Sequence, residues 1–131
     1  MRSGRRARGF TLIELLVVVA IIGILAATAA ANYRRSIRKA EEAALKHNLY
    51  VMRTQINNYF SDKGKYPADL QTLVEESYLR AIPQDITRST ETWVTEPAMM
   101  GEEDVSTEPG IADVRSGSDD VSLDGSSFSE W

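Results

Sequence analysis

One carboxylate interrupts the longest apolar run of the chain. Between Phe10 and Ala31 the sequence reads FTLIELLVVVAIIGILAATAAA, with Thr11, Glu14 and Thr28 as its polar side chains. Glu14 lies four residues past Phe10. A charge at the centre of a membrane helix costs about 2.5–3.5 kcal/mol on insertion scales. Two accounts reconcile Glu14 with that cost. It snorkels to the interface, or it meets a cation in an assembled state. A chain cut after Gly9 would supply that cation, because Phe10 would then carry a free α-amine near the bilayer. Between staggered neighbours, amine and carboxylate would pair in a low dielectric, where such a pair counts most.

The far end of the chain holds a second set of oxygen donors. Asp119, Asp120 and Asp124 stand among Ser116, Ser122 and other small polar residues. Calcium takes about six to eight oxygens in flexible geometry, and this loop could supply them. The spacing is not that of an EF-hand, and a solvated acidic loop is the plainer account; both stay open. The chain has no cysteine, so a bound ion would be one way to staple a small domain. No glycine-rich phosphate loop, nucleophile triad or His/Cys metal spacing is found. His47, the single histidine, falls mid-helix among polar neighbours and reads as solvated. No catalysis is expected.

The elements that must carry these residues follow from pattern and charge. The 131 residues suffice for one domain, and much of their apolar content lies in the run just described. Residues 1–9 are basic, with Arg2, Arg5, Arg6 and Arg8, and read as a leader peptide. Residues 10–31 form a transmembrane helix of roughly 33 Å. Residues 32–131 form the head domain. From Glu91 onward Arg115 is the lone base against eleven acids, so a nucleic-acid partner is not expected. Arg34, Arg35, Arg38 and Lys39 follow the span as closely as the leader arginines precede it, so charge counting leaves its orientation open.

Leu45, Leu49, Met52, Ile56, Tyr59 and Phe60 recur at spacings of three and four, an amphipathic stripe. The pattern predicts one helix from Phe10 to Asp62, roughly 80 Å long. Gly64 and Pro67 end it. A short second helix is expected over Pro67–Tyr78, buried through Leu70, Leu73 and Val74 and capped by Asp69. Strands are expected at Trp93-Val94 and Ile111–Arg115, separated by an acidic loop over Pro97–Gly110. Ser116–Ser129 has the composition of a turn-rich loop. Trp93 reads as core. Trp131 packs either under that loop or against a neighbouring subunit. The fold class is therefore α+β: a long N-terminal helix with a short helix and a small antiparallel sheet packed on it.

An ordinary secretory signal, cleaved after Ala29-Ala30-Ala31, is the competing account of the N-terminus. Glu14 inside the apolar run and the helical pattern beyond Ala31 weigh against it.

The stretch RGFTLIELLVVVAIIGILAA resembles the prepilin signal of type IV pilins and type II secretion pseudopilins. The resemblance implies a pilin fold, cleavage by prepilin peptidase between Gly9 and Phe10, N-methylation of Phe10, and Glu14 as the glutamate that guides assembly. It also implies an inner-membrane protein with a cytoplasmic leader and a periplasmic head. Many members carry proline where this chain has Ala31, which implies a straighter helix here. Tyr66-Pro67, Leu70–Val74, Tyr78–Asp85 and the ending Asp113–Trp131 resemble the G-type major pseudopilin, whose C-terminal loop binds calcium; the match at Pro83–Thr87 is partial. Implied partners are further copies in a helical filament, minor pseudopilins and the inner-membrane assembly platform. The implied function is a secretion pseudopilus subunit, with a surface type IV pilin (adhesion, motility or DNA uptake) as the alternative.

Overall fold

The computed structural model describes residues 8–99 and 109–131. Its elements are helix α1 (Leu12–Lys63), helix α2 (Leu70–Glu75), strand β1 (Val94–Pro97), strand β2 (Ile111–Arg115) and a 3₁₀ turn at Phe128–Glu130. This is the expected α+β class. The chain divides into two compact units, Met1–Ile37 and Arg38–Trp131, and α1 contributes to both.

From Leu15 to Ala31 α1 is apolar around its circumference, Thr28 aside. Its side chains from Leu12 to Leu25 are exposed, so nothing among the described residues covers them. The helix is long and apolar enough to cross a membrane. It starts at Leu12 rather than Phe10, because Thr11 acts as its N-cap. The Glu14 amide donates to Thr11 Oγ1 at 3.2 Å, and the Leu15 amide donates to the Thr11 carbonyl at 3.2 Å. An N-cap hydroxyl of this kind satisfies one of the orphan amides of the first turn.

The second unit holds the core. Leu45, Leu49, Met52, Ile56 and Tyr59 form the buried stripe of α1. Leu70, Leu73, Leu79, Trp93, Ile111, Val114 and Phe128 close over it. Phe60, expected in the stripe, is instead exposed and stacks on Tyr66 at 4.4 Å between ring centroids. Helix α1 ends at Gly64, whose amide donates to the Phe60 carbonyl and whose φ of 70° suits a residue without Cβ.

Helix α2 is shorter than the expected Pro67–Tyr78. Asp69 has an extended backbone, and its side chain accepts from the Thr72 amide, so the helix cannot begin before Leu70. At the other end Ser77 adopts φ 65°, and the amides of Tyr78 and Leu79 both turn back to the Leu73 carbonyl. Strands β1 and β2 pair antiparallel, Val94 with Arg115 and Thr95 with Val114. β1 begins one residue later than expected and runs on to Pro97, where the register shifts. Most of the acidic loop expected over Pro97–Gly110 lies outside the described residues.

Candidate assembly site

Three residues of the expected processing and assembly site lie together at the start of the first unit. Arg8, Gly9, Phe10 and Glu14 line one open concavity of about 450 Å³. Gly9 and Phe10 precede the helix in irregular backbone, and a Cβ built on Gly9 meets nothing within 4 Å. The Gly9–Phe10 bond is thus reachable from solvent. Glu14 occupies the third helical position, where a carboxylate also benefits from the positive end of the helix dipole. The ion pairs among the described residues all lie in the second unit. Glu14 therefore enters the apolar segment without an ion pair to any described residue of its own chain.

Thr11 is the residue of this site that sequence reading missed. The signal was present: Thr11-Leu12-Ile13-Glu14 has the S/T-x-x-E spacing of a capping box. The cap sets where the helix starts and so how far Glu14 sits from Phe10.

Of the five residues expected to hold calcium, Ser122 and Asp124 share one turn, and the others have separate surroundings. Asp119 is exposed. Asp120 is exposed too and faces Arg38, its carboxylate 3.6 Å from the guanidinium. Asp124 is taken up by its own turn: Oδ1 accepts from the hydroxyls of Ser122 and Ser126 and from the Ser126 amide. These donors hold its carboxyl well below the usual carboxylate range, the Ser122 hydroxyl first among them. Ser116 points elsewhere, donating to both carboxylate oxygens of Asp85 at 2.7 and 2.9 Å. Three backbone oxygens of the loop are also engaged: Asp120 with the Phe128 amide, Ser122 with the Gly125 amide, and Ser126 with the Ser122 amide. No group of three Asp, Glu, His or Cys among the described residues could hold a metal ion. A cation needing about six to eight oxygens would have to draw on serine hydroxyls and backbone carbonyls of the loop as well as its carboxylates.

Other residues attach the C-terminal segment. Asp85 is 3% exposed. It accepts from Ser116, from Thr92 Oγ1 at 3.0 Å and from the Ile86 amide at 2.7 Å. Arg53 donates to Asp113 and to the carbonyls of Val114 and Trp131. Trp131 packs edge-on to Phe128 at 4.9 Å, donates through Nε1 to Ser126 and lies under Lys46 Nζ at 4.1 Å. Of the two expected places for Trp131, the one under the loop is observed. Gly117 is sterically required here, since a Cβ at that position would stand 2.1 Å from the Thr92 carbonyl oxygen.

Comparison with known proteins places these features. Residues 4–30 match the family of the prokaryotic N-terminal methylation motif. The chain is 46% identical over 65 residues to the type IV major pilin protein PilA of Myxococcus xanthus, half of this chain and 30% of the pilin. It is 30% identical over 97 residues to the type II secretion system core protein G of Dickeya chrysanthemi, 62% of this chain and 63% of the relative. It is 32% identical over 97 residues to core protein G of Klebsiella pneumoniae, 62% of this chain and 69% of that relative. The chain spans less than two thirds of the length of the first two relatives. No solved structure matches it. A long N-terminal helix behind a methylation motif, carrying a small α+β head, defines a type IV pilin-like protein. The chain belongs to that family, with the type II secretion system core protein G among its relatives.

Proposed function

We propose that the chain is the structural subunit of a type II secretion pseudopilus, anchored by α1 and polymerising through it. The observation that carries the reading is Glu14 itself. It is a carboxylate set into an exposed apolar helix, four residues after a reachable Gly9–Phe10 bond, with no ion pair to any described residue; Arg8, which shares its concavity, would leave with the leader on cleavage. Cleavage at that bond by prepilin peptidase would create the missing cation on Phe10, which the same enzyme would methylate. In a stagger of neighbouring helices, the amine of one subunit would neutralise Glu14 of the next. The apolar faces exposed on each chain would be buried against one another. The pair would form only on assembly, so it would favour the filament over the dispersed subunit. The leader would lie in the cytoplasm and the head in the periplasm. Minor pseudopilins and the inner-membrane platform would be its assembly partners.

Intact mass of the protein from membranes tests the processing step. Loss of residues 1–9 with one added methyl group is expected. Cleavage after Ala31 would overturn the reading in favour of a secreted soluble protein.

A surface type IV pilin is the second reading, favoured by the 46% identity to a major pilin over 65 residues. Deletion separates the two. Loss of protein export without loss of surface fibres supports the pseudopilus, and the reverse supports the pilus.

A further inference from the structure

The charge on the far side of the apolar segment is unevenly used. Arg38 is satisfied within its own unit. Its guanidinium donates to the Val121 carbonyl at 3.1 Å, approaches Glu41, Glu42 and Asp120, and lies 5.0 Å from the centre of the Phe128 ring. Arg34 and Arg35 differ. Both are exposed, and neither makes a side-chain hydrogen bond or ion pair among the described residues. From Leu15 to Ala40 the sequence holds no acid at all. Tyr33, next to them on α1, is 68% exposed.

Position along the helix gives these three residues a common environment. Leu12 to Ala31 rises about 30 Å, the thickness of a hydrocarbon core. Arg34 and Arg35 lie about 4.5 and 6 Å further along the axis, within a headgroup layer about 5–7 Å deep on each side. Tyrosine is enriched at that depth, where its ring is covered and its hydroxyl stays wet. A guanidinium forks onto phosphate oxygens through two parallel N–H bonds.

We propose that Tyr33, Arg34 and Arg35 bind the headgroups of anionic phospholipids in the leaflet remote from Gly9. The inference rests on the reading of α1 as a membrane span. Zwitterionic lipid would leave two positive charges without compensation, whereas an anionic headgroup supplies both phosphate and net charge. The occupant is the lipid rather than an acidic side chain of a second copy, because the depth matches the headgroup layer without any assumed packing.

The full chain is reconstituted into phosphatidylcholine vesicles with and without phosphatidylglycerol. Insertion is read by resistance to alkaline extraction, and lipid selectivity by the phosphatidylglycerol retained in native mass spectra. Enrichment of phosphatidylglycerol is expected around the wild type, falling about fivefold for each of Arg34→Gln and Arg35→Gln and falling with added salt. Arg34→Lys and Arg35→Lys should retain most of it. Unchanged enrichment in the glutamine variants overturns the proposal while leaving the span intact. A wild type that fails to insert overturns the span and the lipid site together. Glutamine variants that lose self-association in pure phosphatidylcholine, with no lipid selectivity in the wild type, assign the arginines to a second copy instead.

Discussion

Arg53 Nε donates to Asp113 Oδ1 at 2.7 Å, and the same guanidinium reaches the carbonyls of Val114 and Trp131, each at 2.9 Å. One side chain of α1 thus holds both β2 and the C-terminal residue. Both partners of the ion pair are about one-third exposed, so solvent screens the charge. The geometry, three acceptors held by one planar fork, is what lysine cannot reproduce. Arg53→Ala should lower head stability by about 1–3 kcal/mol, and Arg53→Lys should recover only part of it. Urea unfolding of the head reads both.

The Asp85–Ser116 contact is the buried counterpart. Asp85 accepts from two hydroxyls and one amide with almost no exposure. Ser116→Ala should cost about 1–3 kcal/mol, because it removes a donor to a buried charged acceptor. Asp85→Ala should cost more, since it removes the acceptor shared by the Ser116 and Thr92 hydroxyls. Equal stability of Asp85→Ala and wild type in thermal unfolding would show that this junction does not hold the C-terminal segment.

Glu76 gives the head an acid limb. Lys63 Nζ lies 2.6 Å from it, and that hydrogen-bonded pairing lowers the Glu76 carboxyl below its ordinary 4.5 and raises Lys63 above its ordinary 10.5. A lowered acid is more easily ionised in the folded state, so its contribution is present above 4.5 and is lost as pH falls through the folded value. The raised Lys63 contributes below 10.5 and loses that contribution as pH rises through its folded value. Glu76→Gln should flatten both limbs in a plot of thermal midpoint against pH. The serine-capped Asp124 should keep its own acid limb in that variant, below its ordinary 3.8.

Chelation bears on the calcium expectation. Asp124 Oδ1 and three backbone oxygens of the loop already accept hydrogen bonds within it, so on these contacts alone EDTA should leave the thermal midpoint of the head unchanged, and added calcium should not raise it. A midpoint that fell with EDTA and returned with calcium would mean that the loop rearranges around an ion.

For assembly, Glu14→Ala should insert into membranes at least as well as the wild type, since it removes a cost of about 2.5–3.5 kcal/mol. It should nevertheless fail to form filaments. Normal filaments from Glu14→Ala, seen by electron microscopy, would defeat the amine–carboxylate pairing.

The sequence by itself determined the long helix, its apolar and amphipathic halves, the buried stripe and the candidate processing site. All of these rest on local period and local chemistry. A twenty-residue apolar run needs no partner to be legible, and the expected cleavage point and assembly glutamate lie within one short motif. The helix start was legible too, through the Thr11–Glu14 spacing, though that signal went unread. The short second helix was placed but drawn too long, because the turn at Ser77 depends on amides that return to Leu73. Only the tertiary structure decided how the C-terminal segment is held. Asp85 and Ser116 are 31 positions apart, and Arg53 and Asp113 are 60 apart. No period or composition links such pairs. The acids cluster there in sequence, and the fold places them differently: Asp119 and Asp120 are exposed and Asp124 caps its own turn. Side-chain direction within an irregular loop is set by what packs beneath it, here Phe128 and Trp131.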